Sequence, residues 1–247
     1  MSALRVERDG PLLRIAMARP ERRNAFDASL IAELTQAFAD VGDARAVVLS
    51  GDGPSFSAGA DVEWMRSSIE LSFDENVADA TRLRMMLEAI DGCPAPVVAR
   101  VQGHALGGGC GLVACSDIVV AEPSAQFGFT EVKLGIVPSV ISPFALAKIG
   151  TSAARRWFVS GERFSAEVAL RIGLVHEVAD DLDAAVDGVV AELLTAGPSA
   201  ARDAKQLARG PLPPGETARR IAAHRTGAEG QEGLRAFLER RPPRWIE

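Results

Sequence analysis

The sequence has few of the residues that build metal centres and disulfide frameworks. Its only cysteines are Cys93, Cys110 and Cys115, and its three histidines are scattered along the chain. Neither set has the spacing of metal ligands, so we expect no metal site. An odd number of cysteines without a disulfide pattern is typical of reduced core thiols, which indicates a cytoplasmic protein.

Long hydrophobic runs and several known catalytic signatures are also missing. No apolar stretch approaches the length that crosses a bilayer, and residues 1–18 carry too many charges for a signal peptide. The chain has no Gly-x-Ser-x-Gly elbow, which disfavours a serine hydrolase, and its glycine spacing does not fit the dinucleotide-binding fingerprint. A net charge of −6 argues against nucleic-acid binding. We therefore expect neither a membrane nor a nucleic acid as a partner.

Two glycine-rich turns are the most informative features that are present. Residues 57–61 read Ser-Ala-Gly-Ala-Asp, and residues 105–111 read Ala-Leu-Gly-Gly-Gly-Cys-Gly. Each turn follows a strand-like run and leads into a helix-like one, so it leaves backbone N–H groups unpaired. Two such turns facing each other can hold a carbonyl oxygen between two donors, which predicts an oxyanion hole for a thioester or another acyl group.

Hydrophobic periodicity predicts alternating strands and helices, and this alternation favours an α/β core with parallel strands. From residue 181 onward the pattern is almost entirely helical, with breaks at Gly197-Pro198 and at residues 210–215. Predicted strands cover residues 3–7, 12–18, 45–50, 96–102, 118–121 and 174–178. One predicted helix follows a cap at Asp27, and others begin at Asp74, Gly109 and Ser165. In the helix that begins at Asp74, we expect the side chains of Val77, Leu83, Leu87 and Ile90 to face inward.

Taken together, the motifs resemble the crotonase superfamily, also called the enoyl-CoA hydratase/isomerase family. The resemblance covers nearly the whole chain, because its parts occur in order and at similar separations. The matching segments are residues 18–25, 56–61, 105–109, 116–118, 125–128, 131–135 and 173–175.

This resemblance implies the fold, the assembly and the ligand. The fold would be an α/β, crotonase-like spiral of ββα units over residues 1–195, followed by a C-terminal helical trimerisation region over residues 196–247. A homotrimer or a dimer of trimers is expected. Residues 200–247 also carry ten Lys and Arg against six Asp and Glu, a basic segment on an acidic body. The ligand would be an acyl-CoA thioester, with no cofactor beyond the coenzyme A of the substrate.

The resemblance also assigns catalytic roles, with two departures from the usual pattern, at Gly111 and at residues 139–144, where family members often have a glycine-rich turn. The oxyanion donors would be the N–H groups of Ala60 and Gly108, and Glu131 would be the acid/base in an apolar setting that includes Leu134. The other glutamate of two-glutamate hydratases is replaced by Gly111. We expect hydration of a 2-enoyl-CoA, with 3-enoyl-CoA to 2-enoyl-CoA isomerisation or non-catalytic acyl-CoA binding as alternatives. The run from Ser139 to Phe144, read with Gly111, is similar to hydratases of branched glutaconyl-type CoA esters.

Several further positions are expected to contact the substrate. Backbone groups of Ala58, Ala60 and Val62 would contact the adenine, and Arg22 and Arg23 could approach the phosphates because arginine forms bidentate hydrogen bonds. Lys205 could reach the nucleotide from the helical tail, and Gly111 faces the acyl group by its motif position. Asp61, Ser139 and His104 are potential helpers of Glu131, although Asp61 also has the position of a helix cap.

Overall fold

A computed structural model describes residues 2–246; Met1 and Glu247, the outer ends of the two predicted regions, lie outside the described residues. Strands and helices alternate up to residue 195, and only helices follow. The strands are β1 (Leu4–Asp9), β2 (Leu12–Met17), β3 (Ala46–Gly51), β4 (Val97–Val101), β5 (His104–Leu106), β6 (Ile118–Ala121), β7 (Gln126–Gly128), β8 (Phe164–Ser165) and β9 (Glu177–Val178). The helices are α1 (Ala28–Ala39), α2 (Val62–Ser68), α3 (Phe73–Asp91), α4 (Gly108–Cys115), α5 (Ser142–Ser160), α6 (Ala166–Arg171), α7 (Leu182–Thr195), α8 (Pro198–Leu207), α9 (Glu216–Thr226) and α10 (Ala228–Glu239), with 3-10 turns at Pro20–Arg22, Glu131–Leu134 and Arg244–Ile246.

The strands form two sheets, and the larger one is mostly parallel. Its order is β1-β2-β3-β4-β6-β9, with only the β1–β2 hairpin antiparallel. The smaller sheet has the order β5-β7-β8 and carries the second glycine turn at the end of β5. The predicted α/β class with parallel pairing is confirmed.

The inner strands β3, β4 and β6 of the larger sheet are covered on both faces, which explains why they are mostly apolar. In β3, Val47 and Leu49 belong to the main core beneath α1, α3 and α4. Ala46 and Val48 point to the opposite face and pack in a smaller cluster with Val186 of α7. Because both faces are buried, these strands show little of the alternation that marks a half-exposed sheet.

Helix capping explains where α1 and α3 begin. Asp27 caps α1 as predicted, because its Oδ1 accepts a hydrogen bond from the N–H of Leu30 at 3.0 Å. Helix α3 begins at Phe73 rather than Asp74, since Ser72 and Glu75 form a capping box. The inward position predicted for Val77 is wrong. This side chain is 49% exposed, because residues 73–78 form an end of α3 that is exposed throughout.

The C-terminal helices follow the predicted breaks. Helix α7 ends at Thr195 and α8 begins at Pro198, while residues 208–215 separate α8 from α9. Arg45 joins this region to the sheet by donating to the carbonyls of Leu194, Ala196 and Trp245. The division into a core and a trimerisation region stays a prediction. Within residues 2–246, none of the helices has both the length and the apolar character required to cross a membrane.

All three cysteines lie in the core, as predicted, and none forms a disulfide. Burial raises the pKa of each thiol. Cys110 has a further structural role, since its Sγ donates to the Ala105 carbonyl at 3.0 Å and accepts from the Gly128 N–H at 3.3 Å. It thereby links α4 to both β5 and β7.

Candidate active site

The first glycine turn leaves one backbone donor free. Phe26 and Ala60 form an isolated parallel bridge, in which the Phe26 N–H donates to the Gly59 carbonyl and the Asp61 N–H donates to the Phe26 carbonyl. The N–H between them, that of Ala60, has no acceptor among the described residues. The bridge therefore fixes Ala60 while keeping its N–H available to a ligand.

The second glycine turn presents a donor at the start of a helix. The Gly107 N–H donates to the Gly128 carbonyl at 2.8 Å, and α4 begins with the next residue. The Gly108 N–H has no acceptor within residues 2–246. As the first N–H of α4, it is oriented outward and adds to the partial positive charge of the helix terminus.

The two turns pack directly on each other. Ser57 and Ala105 form a parallel bridge, and the Leu106 N–H donates to the Ser57 carbonyl at 3.0 Å. A Cβ atom on Gly59 would lie 2.6 Å from the Leu106 carbonyl oxygen, and Gly59 has a φ of +88°. Only glycine fits this contact and this conformation. Ala60 and Gly108 consequently line one cavity.

This cavity has a volume of about 490 Å³ and is mainly apolar. Its walls come from the two glycine turns, from α2 and α3, and from the segment between residues 130 and 141. The aliphatic and aromatic side chains that line it are Phe26, Trp64, Met65, Leu83, Leu106, Leu134, Ile136, Val137, Val140 and Ile141. An elongated apolar ligand with one polar group at the glycine turns fits such a space.

The carboxylate of Glu131 lies beside the second glycine turn. A Cβ atom on Gly107 would lie 3.5 Å from its Oε1, while its Oε2 is buried and has no hydrogen-bond partner. Burial raises the pKa of this carboxyl, although the backbone N–H of Glu131 itself opposes the shift. A carboxylate with one unpartnered oxygen in a mainly apolar cavity is suited to take and return a proton.

Gly111 does not line the cavity, contrary to its predicted contact with the acyl group. It is buried within α4, and a Cβ atom there would lie 2.6 Å from Cγ2 of Ile141 and 3.5 Å from Cδ2 of Leu87. Ile141 occupies the space that a side chain at position 111 would need. The cavity wall at this point is therefore apolar and carries no second acid/base group.

We expect Gly111→Glu to destabilise the fold by about 1–3 kcal/mol, because the new side chain overlaps Ile141. The loss should be smaller in an Ile141→Ala background, since space is then available beside α4. Gly188→Glu in α7 is the matched control, because a Cβ there meets nothing within 4 Å. Urea denaturation measures the free energies of unfolding of wild type, the three single variants and the Gly111→Glu/Ile141→Ala double variant. Equal stability of Gly111→Glu and wild type would contradict this packing.

Asp61 is a structural residue rather than a substrate contact. It caps α2 by accepting from the Glu63 and Trp64 N–H groups, and its Oδ2 accepts from Arg22 at 2.8 Å. Burial alone would raise the pKa of Asp61, but these hydrogen bonds outweigh burial and lower it. Its carboxylate is fully engaged in the cap and the ion pair, so the predicted helix cap is confirmed, whereas the predicted role as a substrate contact and helper of Glu131 is wrong.

The predicted phosphate contacts lie in three different settings. Arg22 is 48% exposed but donates to Asp61, whereas the Arg23 guanidinium has no ion pair among the described residues. Lys205 is nearly fully buried and binds Asp117 at 2.7 Å and the Ala95 carbonyl at 3.1 Å. The nucleotide contact predicted for Lys205 is therefore wrong. Its ammonium instead ties α8 to the sheet.

The remaining predicted positions are distributed around the cavity. Ala58 and Ser139 line it, and Val62 begins α2 with an exposed side chain. His104 lies at the start of β5, within 3.4 Å of the Ser55 hydroxyl, and burial lowers its pKa. It is absent from the cavity wall, so it is not placed to assist Glu131.

Sequence reasoning missed two charged residues of the cavity wall. Arg163, just before β8, lines the cavity and has no ion pair within the described range. Asp79 lines it from α3 and is only 8% exposed. A signal for Asp79 was present, because it precedes Leu83 and Leu87 at four-residue intervals on the inner face of one helix.

The chain matches known proteins along nearly its full length. Residues 7–247 match the family model described as Enoyl-CoA hydratase/isomerase. The cyclohexa-1,5-dienecarbonyl-CoA hydratase of Thauera aromatica is 32% identical over an alignment of 261 positions. The alignment covers 97% of this chain and 95% of that protein.

Solved structures show the same architecture. The crystal structure of an enoyl-CoA hydratase from Shewanella pealeana is similar with a TM-score of 0.93 and 38% identity, covering 98% of this chain and 96% of that one. Pseudomonas aeruginosa AtuE is similar with a TM-score of 0.94 and 34% identity, covering 99% and 100% of the two chains.

Proposed function

This chain belongs to the enoyl-CoA hydratase/isomerase family, and from that premise we propose that it adds water to a 2-enoyl-CoA. The family and the crotonase-type α/β fold predicted from the motifs are confirmed. In the proposed reaction, the N–H groups of Ala60 and Gly108 bind the thioester oxygen and Glu131 moves the proton. The reaction needs no cofactor beyond the coenzyme A of the substrate.

One observation carries this proposal: the carboxylate of Glu131, whose Oε2 is buried without a partner, shares a cavity with two backbone donors that lack acceptors. Polar groups buried in this way are costly unless a ligand satisfies them. A thioester oxygen satisfies the donors, and a water molecule or an acidic C–H satisfies the carboxylate. The remaining walls are apolar and fit an acyl chain.

The proposed steps follow from this arrangement. Glu131 removes a proton from water while the water oxygen bonds to C3, and the π electrons of the C2–C3 double bond move toward the thioester. The resulting enolate oxygen is stabilised by the N–H groups of Ala60 and Gly108. The enolate then takes the proton from Glu131 at C2, which restores the carboxylate.

Isomerisation is the second candidate, and the apolar contact between Gly111 and Ile141 favours it. Because no acid stands at position 111, Glu131 is the acid/base group beside the glycine turns. One carboxylate is enough to remove a proton from C2 of a 3-enoyl-CoA and return it at C4. A chain that binds acyl-CoA without turnover is the third possibility, and the retained Glu131 argues against it.

A panel of 2-enoyl-CoA and 3-enoyl-CoA esters distinguishes these functions. Hydration of a 2-enoyl-CoA gives a product heavier by one water, and this is the result we expect. Unchanged mass with a moved double bond would instead establish isomerisation. Binding of the esters without any product would contradict both enzymatic proposals.

The acyl group proposed from the sequence is branched or of the glutaconyl type. Arg163 supports a carboxylate-bearing chain, because it is an arginine of the cavity wall that forms no ion pair with residues 2–246. Ala58, Val62, Arg22 and Arg23 remain proposed contacts of the coenzyme A portion. The panel should therefore include dicarboxylic esters beside straight-chain ones.

We also propose self-association through the C-terminal helices. Leu234, Phe237 and Leu238 of α10 are large apolar side chains that the described part of one chain leaves exposed. A homotrimer, or a dimer of trimers, would cover them. Light scattering that gives the mass of a single chain at micromolar concentration would contradict this proposal.

A further inference from the structure

A second buried carboxylate faces the cavity from the wall formed by α3. Asp79 lines the cavity together with Asn76, Ala80 and Leu83, and all four lie on one face of the helix. Asp79 is only 8% exposed, whereas most aspartates lie at the protein surface. The sequence motifs of the family do not include this position.

Only one oxygen of Asp79 is satisfied within the described chain. Its Oδ1 accepts a hydrogen bond from Arg82 at 2.7 Å, and the Arg82 guanidinium is about half exposed. Its Oδ2 accepts no hydrogen bond from residues 2–246. A carboxylate oxygen that lines a cavity and accepts no hydrogen bond from the protein is a ready contact for a ligand donor.

The neighbouring Asn76 reinforces this polarity. Its Nδ2 donates to the carbonyls of Ser68, Leu71 and Ser72, which join α2 to α3. Because the amide nitrogen is engaged in this way, the group that Asn76 can offer to the cavity is its oxygen. Both polar side chains on this wall thus present acceptors, and the complementary ligand group is a donor.

The position along α3 separates Asp79 from the place of the missing glutamate, position 111. Leu87 packs at the Gly111 position, and Asp79 lies eight residues earlier on the helix. Eight residues of an α-helix span about 12 Å. Asp79 is therefore not a replacement for the missing glutamate, and it faces a part of the cavity different from position 111.

We propose that Asp79 is a specificity-determining residue that selects acyl groups carrying a hydroxyl. This inference rests on the proposed acyl-CoA function. Arg82 already balances the charge of Asp79, so the free oxygen is matched by a neutral donor better than by a second cation. An acyl carboxylate would face two acceptor oxygens here and would have to turn toward Arg163 instead.

The test measures binding rather than turnover. Dissociation constants are determined by calorimetry for a saturated straight-chain acyl-CoA and for the same ester with one hydroxyl at successive carbons. For wild type we expect one hydroxyl position to bind about tenfold tighter than the unsubstituted ester, since a hydrogen bond to a charged group contributes that much. In Asp79→Leu the preference should disappear, and the unsubstituted ester should bind at least as tightly as it does to wild type.

Matched variants separate a contact with the ligand hydroxyl from the effects of losing a negative charge or disturbing the fold. Asp79→Asn keeps an acceptor oxygen and should retain part of the preference. Asp74→Asn removes an exposed acid from the same helix without touching the cavity and should bind like wild type. Circular dichroism confirms that each variant is folded.

Two outcomes would overturn the proposal. Equal affinity of wild type for all esters would show that Asp79 selects no hydroxyl. If Asp79→Leu lowered the affinity for every ester and for free coenzyme A by the same factor, Asp79 would instead be a contact of the coenzyme A portion. Failure of the proposed catalytic function is distinguishable, because these binding ratios are measured without any turnover.

Discussion

Glu131→Gln is expected to lower turnover by a factor of about 10²–10⁴, the usual contribution of general acid–base catalysis. Glutamine has nearly the same shape, so the cavity and the affinity for acyl-CoA should change little. The readout is exchange of the C2 protons of a bound saturated acyl-CoA with deuterated water, which needs no knowledge of the natural substrate. Exchange as fast as in wild type would show that another group moves the proton.

The pH dependence provides a second readout for the same residue. Because burial raises the pKa of Glu131, wild-type exchange should fall as the pH decreases through a value above that of an ordinary glutamate. The folded chain then holds this proton at a pH where the unfolded chain releases it. Stability must therefore decrease as the pH rises between the two pKa values, and Glu131→Gln should lack this decrease. Thermal melts of wild type and Glu131→Gln across the acidic pH range test whether stability decreases in this direction.

Gly108→Pro is expected to reduce turnover by a factor of about 10²–10³, the cost of removing one oxyanion donor. Proline lacks the N–H but suits the first position of a helix, so α4 can still form. A Cβ at this position would lie 2.5 Å from Cζ of Phe26, and some shift of that ring is unavoidable.

Gly108→Ala is the control for that shift, because alanine adds the same Cβ and keeps the N–H. The comparison of the two variants isolates the hydrogen bond from the steric effect. We expect proline to be the more damaging by at least tenfold in turnover, with similar affinity for coenzyme A. Equal activity of the two folded variants would remove Gly108 from the oxyanion hole.

The parts of this fold that could be predicted are those that local chemistry determines. Asp27 caps α1 because its side chain reaches an N–H only three residues away, and this requires no other part of the chain. The two glycine turns were also readable, since a positive φ at Gly59 and the helix start at Gly108 have local signatures. Glu131 was found from its place in a motif, and the structure puts it beside the second turn.

The errors concern features that no regular local pattern reveals. Lys205 binds Asp117 across 88 residues, and no local pattern indicates that this lysine turns inward. The strands β5, β7 and β8 have only two or three residues each, too few to show a period of two. Helix α5 was missed because Gly150, with φ of +68° and ψ of 167°, interrupts its regular pattern.

The buried thiols give the chain a built-in reporter of its own integrity. Thiol reagents attack the thiolate, so burial and raised pKa values should keep Cys93, Cys110 and Cys115 unreactive while the fold is closed. Cys110 is the most informative of the three, because it bridges β5, α4 and β7 directly beneath the second glycine turn. Its labelling rate would therefore report openings of that turn. A variant that loses activity while all three thiols stay protected has a catalytic defect and an intact fold.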